Sequence, residues 1–240
     1  MAGLNDLVSE SGKLGVPGLG AGVGGSTNKE LMADARASLS GNWGMGILGY
    51  VLYMALIMSF SIFVFSSVVF VSMITHMGGA NTEVATNLME FVANLVQLLV
   101  SGAFMVGFAG FFLGIAQEGS ARLELLFVGF QRFWKSFGAY FFYSLFIFLW
   151  TLLFIIPGII AAFRYAMVFF VIADDQDCGP LEAISRSKEM MKGNKWKFFC
   201  LYWRFFGWAL LATFFTFGIG YLWLVPYMQT SFAKFYEDVK

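Results

Sequence analysis

Long apolar stretches dominate the chain, and short segments between them hold nearly all of the charged residues. Four such stretches occur, at residues 44–74, 91–116, 138–173 and 198–232. Because a helix rises about 1.5 Å per residue and the hydrocarbon core of a bilayer is about 30 Å thick, each stretch can cross a membrane at least once. The pattern predicts an all-α, polytopic bundle of transmembrane helices with amphipathic interfacial helices between them.

The last two stretches are too long for one crossing, since a straight helix over residues 138–173 would measure about 54 Å. Pro157 and Gly158 interrupt the first of them, and Gly218-Ile219-Gly220 interrupts the second. Each break predicts a hairpin of two spans. The sequence therefore predicts about six spans in one integral membrane domain over residues 29–240, at residues 44–74, 91–116, 138–156, 158–174, 198–217 and 219–235.

The basic residues predict how the chain is oriented in the membrane. Lys and Arg residues lie before the first predicted hairpin, at 122–135, and after it, at 186–197. The positive-inside rule keeps such clusters in the cytoplasm. Arg164 and Arg204 lie inside spans, and Lys234 lies at the cytoplasmic end of the last span. Every other Lys and Arg then falls in a cytoplasmic segment, and both termini are expected in the cytoplasm.

Four further segments flank the predicted spans. Residues 1–28 are rich in Gly and Ser and are expected to form a flexible tail. Thr27 and Glu30 have the spacing of a capping box, and a short helix is expected after them at the membrane surface, ending near Gly41. Its apolar face comprises Leu31, Met32, Ala35 and Leu39. Residues 117–137 predict an interfacial amphipathic helix, and residues 180–193 predict a helix in a cytoplasmic loop.

Composition supports lipid as the solvent. The chain is 59% apolar and 12% charged, whereas a soluble domain carries about a quarter charged residues. The formal net charge is zero, so nucleic acid is not an expected partner.

The usual sets of catalytic and metal-binding residues are missing from the sequence. There is no phosphate-binding Gly-Lys loop, HExxH or GxSxG motif, and the predicted spans contain no carboxylate before Asp174, the last residue of the fourth span. The one histidine, His76, has no second His or Cys at the spacing of metal ligands. We therefore expect neither an enzyme nor a cofactor, and we interpret Asp174, Asp175 and Asp177 as a solvated turn at a helix start.

Arg164 is a charged residue within a predicted span, where it costs about 2.5–3.5 kcal/mol unless it finds a partner. It could cap carbonyls that the break at Pro157 leaves free, or contact the hydroxyls of Ser144 or Thr151. It could instead bind a lipid phosphate or an anionic substrate. Both interpretations stay open at this point.

A second group of basic residues lies at the start of the fifth predicted span. Arg204 can extend its charge back to the interface. The run before it could hold anionic head groups at about 1 kcal/mol per residue, or could serve only to orient the chain. The candidate lipid-contacting residues are Arg164, Arg204, Arg186, Lys188, Lys192, Lys195, Lys197 and Trp196.

Several motifs resemble a known family. They include LLFIIPGIIAAFRYAM at residues 152–167, LEAISRSKEMMKGNKW at 181–196 and FGIGYLWLVPYM at 217–228. These resemble the bacterial membrane proteins of domain of unknown function 975, which implies a multi-pass protein of a bacterial plasma membrane with no established activity. The chain is also distantly similar to the membrane domain that precedes some glycerophosphodiesterase catalytic domains. That similarity implies phospholipid as a ligand class, and no phosphodiesterase activity is expected.

The sequence leaves two candidate functions open. The first is a non-enzymatic accessory or lipid-interacting factor, whose cytoplasmic face at residues 122–135 and 180–197 meets anionic lipids or a protein partner. The second is a small transporter or lipid flippase that uses Arg164 in an internal cavity, with the breaks at Pro157 and Gly218 as discontinuous helices.

Overall fold

The computed structural model describes residues 25–77 and 82–240, and the described chain is helical without a β-strand. A short 3-10 helix spans Leu123–Phe127. The predicted tail up to residue 24 lies outside the described residues. The α-helices are α1 Asn28–Leu39, α2 Trp43–Met77, α3 Thr82–Glu118, α4 Val128–Gln131, α5 Phe133–Leu153, α6 Ile155–Arg164, α7 Val168–Asp174, α8 Pro180–Met190, α9 Lys195–Thr216 and α10 Tyr221–Val239.

Five helical segments of the described chain are long and apolar enough to cross a membrane, which confirms the predicted all-α polytopic bundle. The predicted sixth span corresponds to α10, which has 19 residues but is not one of the five. Its second half carries Lys234, Glu237 and Asp238, which lower its apolar character. The number of six spans therefore stays a prediction. The five segments are Trp43–Met77, Thr86–Glu118, Phe133–Leu153, Ile155–Asp174 and Lys195–Thr216.

Glycines on α3 let the chain that follows α3 pack closely against this helix. A Cβ at Gly107 would lie 1.9 Å from the carbonyl oxygen of Leu126, and one at Gly129 would lie 1.9 Å from that of Ala103. Such contacts press residues 123–131 onto α3 backbone to backbone. The prediction of one amphipathic helix over residues 117–137 is wrong, because this segment forms the 3-10 helix, α4 and the start of α5 instead.

Helices α5 and α6 form the predicted hairpin. Gly158 packs on Thr151, and Tyr165 packs on Phe146 with ring centroids 5.9 Å apart. The break lies at Phe154, whose backbone is extended, and not at Pro157. Pro157 lies in the first turn of α6, where a missing backbone N–H breaks no helical hydrogen bond.

The predicted span over residues 158–174 is divided into α6 and α7, with a break between Arg164 and Val168. Ser187 of α8, which is fully buried, bridges this break. Its hydroxyl donates to the carbonyl of Arg164 at 3.1 Å and accepts from the backbone N–H of Met167 at 3.2 Å. The break therefore keeps its polar groups satisfied although it lies inside the fold.

Helices α9 and α10 form the second predicted hairpin. Phe217 and Gly218 reverse the chain with φ values of 48° and 90°. The two helices then run antiparallel, because Phe205 packs on Tyr227 with ring centroids 5.3 Å apart. Lys197, near the start of α9, pairs with Asp238, near the end of α10.

Helix α1 packs along α10 and connects to α2. Its capping box is confirmed, since the backbone N–H of Glu30 donates to the Thr27 hydroxyl at 3.3 Å and the backbone N–H of Thr27 donates to the Glu30 carboxylate at 2.6 Å. The backbone N–H of Ser26 donates to Asp238 at 3.0 Å. The predicted apolar face is confirmed as the buried face, which comprises Leu31, Met32, Ala35 and Leu39.

Candidate functional site

A groove of about 870 Å³ lies where α1 meets the hairpin of α9 and α10. Residues at helical spacing on α9 line one wall, because positions three and four residues apart share a face. Arg204 stands at one end of this wall and Phe215 about 16 Å further along the helix. Trp208 and Leu211 lie between them, so the wall is apolar beyond Arg204.

The opposite wall is formed by the first half of α10. Tyr227 lies at the Arg204 end of the groove, and Leu224, Trp223 and Gly220 follow toward the end at Phe215. A Cβ at Gly220 would lie 2.9 Å from the Cβ of Ala212, so this glycine lets the two helices meet. The groove is therefore aromatic and aliphatic along most of its length.

Helix α1 lies at the Arg204 end of the groove, where Arg36 contacts Tyr227, and brings two further cations to it. Lys29, Ala33 and Arg36 recur at i, i+4 and i+7, so they share one stripe of α1. This stripe lies beside the buried face of α1 and lines the groove. Arg204 faces the same groove from α9. Three basic residues from two helices thus line one apolar groove.

Tyr227 holds Arg36 in place. Arg36 Nη2 donates to the Tyr227 hydroxyl at 3.3 Å, and that hydroxyl donates to the carbonyl of Met32 at 3.2 Å. The guanidinium carbon of Arg36 also lies 5.4 Å from the centre of the Tyr227 ring, within range of a cation–π interaction. One guanidinium donor is used in this way, and the others remain for a ligand.

The groove has a net positive charge. None of the described residues that line it is acidic, and Lys29, Arg36 and Arg204 form no ion pair with any described residue. Glu30, the acid beside Lys29 in sequence, accepts from the backbone N–H of Thr27 in the capping box. This hydrogen bond lowers the pKa of Glu30. The arrangement suits an anionic group attached to an apolar chain.

Of the predicted site residues, Arg204 lines the groove, and the basic run after α7 does not. Arg186 pairs with Asp175 and with Glu182, both at 2.7 Å, and these hydrogen bonds raise its pKa. Lys192 pairs with Glu189 at 2.7 Å, and Lys197 pairs with Asp238 at 2.5 Å. Most of this run is therefore neutralised by carboxylates within the described chain.

The other members of the predicted set lie outside the groove. Lys188 is exposed and Lys195 is half-buried, and neither forms an ion pair with a described residue. Trp196 is 73% exposed and stacks on Phe199 with ring centroids 5.2 Å apart. Lys188 lies on α8, and Lys195 and Trp196 lie at the start of α9.

Arg164 is half-buried at the end of α6 and does not line the groove. Neither hydroxyl partner named from the sequence contacts it, because Ser144 and Thr151 bond to carbonyls of their own helix. Its guanidinium makes no hydrogen bond or ion pair within the described residues. The two roles considered for Arg164 from the sequence, a structural one and the binding of an anion, both stay predictions.

Comparison with known families identifies the family of this chain. The profile of a family described as "Protein of unknown function (DUF975)" matches residues 26–162 and 151–240. The chain belongs to the DUF975 family. No curated protein and no solved structure matches it.

The DUF975 match confirms the resemblance seen in the sequence, and the family's description names no activity. A bacterial source and the distant similarity to the glycerophosphodiesterase membrane domain both stay predictions.

The sequence prediction missed most of the groove in this DUF975 protein. Lys29, Arg36, Trp208, Trp223 and Tyr227 were not among the candidate residues. A signal for two of them was present, because Lys29 and Arg36 share a stripe of α1 beside its predicted apolar face. No pattern in the sequence indicated that this stripe meets α9.

No group of three or more metal-ligating side chains occurs within the described residues. Asp175, part of the predicted solvated turn, accepts from the backbone N–H of Asp177 at 2.9 Å and pairs with Arg186. These contacts lower the pKa of Asp175. The turn is thus held by its own hydrogen bonds.

Proposed function

We propose that this protein is a non-enzymatic membrane protein that binds an anionic phospholipid in the groove between α1, α9 and α10. The phosphate of the head group lies among Lys29, Arg36 and Arg204, and an acyl chain follows the apolar wall from Trp208 to Phe215. The supporting observation is that three basic residues line one apolar groove and that none of its described lining residues is acidic.

The surroundings of the groove support a ligand that comes from the bilayer. Helix α9 is one of the five helices long and apolar enough to cross a membrane. Its side chains outside the groove include Trp203 and Phe214, which are exposed in the described chain. A lipid can therefore enter sideways from a surface that other lipids already solvate.

The distribution of basic residues also supports a groove that opens on the cytoplasmic side of the membrane. We place both termini, and with them α1, in the cytoplasm of a bacterial cell, because the basic residues concentrate there under the positive-inside rule. The cytoplasmic leaflet carries anionic lipids, and each basic residue near its surface contributes about 1 kcal/mol. Three basic residues in one groove then favour an anionic lipid over a zwitterionic one.

One observation favours the alternative of a transporter or lipid flippase. The helix break that follows Arg164 is bridged by Ser187, and discontinuous helices carry substrate sites in transporters. Arg164 lies outside the groove, so the two proposals are separable by mutation.

The test is native mass spectrometry with lipidomics on the purified protein. The double variant Arg36→Gln/Arg204→Gln is compared with Lys188→Gln/Lys195→Gln, which removes the same charge from residues outside the groove. Arg164→Gln forms a third arm. Gel filtration and thermal unfolding report whether each variant is folded.

We expect the groove variant to lose a co-purifying anionic lipid that wild type and the Lys188/Lys195 variant retain. If both double variants lose it equally, charge at the surface and not the groove binds lipid, and the proposal is wrong. Loss only in Arg164→Gln would favour the transporter.

A further inference from the structure

The positive charge of the groove exceeds the negative charge of one ordinary phospholipid head group. Lys29, Arg36 and Arg204 line it, and no carboxylate among the described lining residues offsets them. A phosphodiester head group supplies a single negative charge at its phosphate. A phosphomonoester supplies about −1.5 to −2 at pH 7 and presents three terminal oxygens as acceptors.

We infer that the groove recognises a lipid whose head group ends in a phosphomonoester, the chemical class of phosphatidic acid. This inference rests on the proposed function and specifies its ligand.

The placement of the basic residues fits three acceptor oxygens. Arg36 approaches from α1 and Arg204 from α9, and a guanidinium offers paired donors that match two phosphate oxygens. Arg36 is positioned by Tyr227 through one hydrogen bond, so its remaining donors face a ligand from a fixed direction. Lys29 adds a third charge from the same stripe of α1.

The charge of the ligand makes the inference testable by pH. The second proton of a phosphomonoester leaves at a pKa of about 6, whereas a phosphodiester has no proton to lose in this range. The polar groups that face the phosphate are Lys29 and Arg36 on α1, Arg204 on α9 and Tyr227 on α10. The described groove is lined by no His, Asp or Glu, so the ligand alone changes charge between about pH 5 and about pH 8.

The experiment reconstitutes the full chain in phosphatidylcholine nanodiscs that contain either phosphatidic acid or phosphatidylglycerol with identical acyl chains. Retained lipid is measured by native mass spectrometry after ejection, at about pH 5 and about pH 8. At the higher pH we expect about fivefold preference for phosphatidic acid, the effect of about one extra charge contact. The preference should shrink toward one at the lower pH.

The matched variants are Arg36→Gln/Arg204→Gln in the groove and Lys188→Gln/Lys195→Gln outside it. The first should abolish the preference, and the second should leave it unchanged. An excess of soluble glycerol 3-phosphate should not displace the lipid, because it lacks the chain that the apolar wall holds. Displacement would assign the site to a soluble phosphate and overturn the inference.

The two possible failures are distinguishable. Equal retention of both lipids, lost in the groove variant alone, would overturn the phosphomonoester assignment and leave the proposed function in place. Equal retention of both lipids by the wild type and by the groove variant would overturn both.

Discussion

Two basic regions of the molecule differ in what surrounds their charges. Between α7 and the start of α9, Arg186, Lys192 and Lys197 each pair with a carboxylate. At the groove, Arg36 and Arg204 face apolar walls without an acidic neighbour among the lining residues. The denser cluster in the sequence is thus the less available for a ligand.

The physical reason is the position of the carboxylates after folding. An exposed ion pair contributes about 0–1 kcal/mol, so the pairs near α8 add little stability but do occupy the cations. A cation beside apolar walls keeps its full charge for an incoming anion, and the low-dielectric surroundings strengthen that attraction. Density of Lys and Arg in a sequence therefore does not by itself identify an anion site.

The largest expected effect concerns stability in the paired region. Lys197→Met leaves Asp238 unpaired, and the two side chains are only 17% and 11% exposed, so we expect a loss of about 2–3 kcal/mol in the free energy of unfolding. Lys192→Met breaks a pair that is 62% and 61% exposed and should cost at most about 1 kcal/mol. Thermal unfolding in detergent measures both, and equal losses would show that burial does not separate the two pairs.

A steric change in the groove should come next. Ala33→Trp fills the groove between Lys29 and Arg36 without altering any charge, and the resulting overlap should weaken lipid retention by about tenfold or more. Ser185→Trp, on the exposed face of α8, is the matched control and should retain lipid as wild type does. Unchanged retention in Ala33→Trp would place the lipid elsewhere.

A smaller effect is expected for the residue that positions Arg36. Tyr227→Phe keeps the ring beneath the guanidinium but removes the hydroxyl that accepts from it, so lipid affinity should fall by about threefold, as for one modest hydrogen bond. The preference for phosphatidic acid over phosphatidylglycerol should fall with it. A role confined to packing would lower the melting temperature and leave that preference unchanged.

The smallest effect concerns acid at the start of α1. Hydrogen bonding to the Thr27 backbone lowers the pKa of Glu30 in the fold, so its contribution is complete above its ordinary pKa and is lost as the pH falls through the lowered value. Amide hydrogen exchange at residues 28–31 should therefore speed up on acidification, after correction for intrinsic rates. Glu30→Gln should remove this pH dependence, and its persistence would contradict the assignment.

Local features were predictable because they depend on neighbours in sequence. The capping box at Thr27 and Glu30, the buried face of α1 and the reversals near residues 154 and 218 all follow from spacing and from turn-forming residues. The close approach at Gly107 and Gly114 was also predictable in kind. Which segment would approach was not, since the contact with residues 125 and 126 depends on how the chain returns along α3.

Contacts between distant segments explain the helix prediction that was wrong. Apolar residues at helical spacing over 117–137 predicted one helix, but this segment packs backbone to backbone on α3 at Gly129. In the basic run at 186–197, Glu182 and Glu189 lie within four residues of Arg186 and Lys192, whereas the partner of Lys197, Asp238, lies forty-one residues away.

The sequence by itself determined the helical class, the apolar stretches and the places where the chain turns, because these depend on hydropathy and on local backbone preferences. Only the tertiary structure decided that Lys197 pairs with Asp238 and that Lys29, Arg36 and Arg204 line one apolar groove. Electrostatic neighbours are set by packing: α1 crosses the hairpin of α9 and α10 and brings Arg36 to the same groove as Arg204, although 167 positions separate them in the chain.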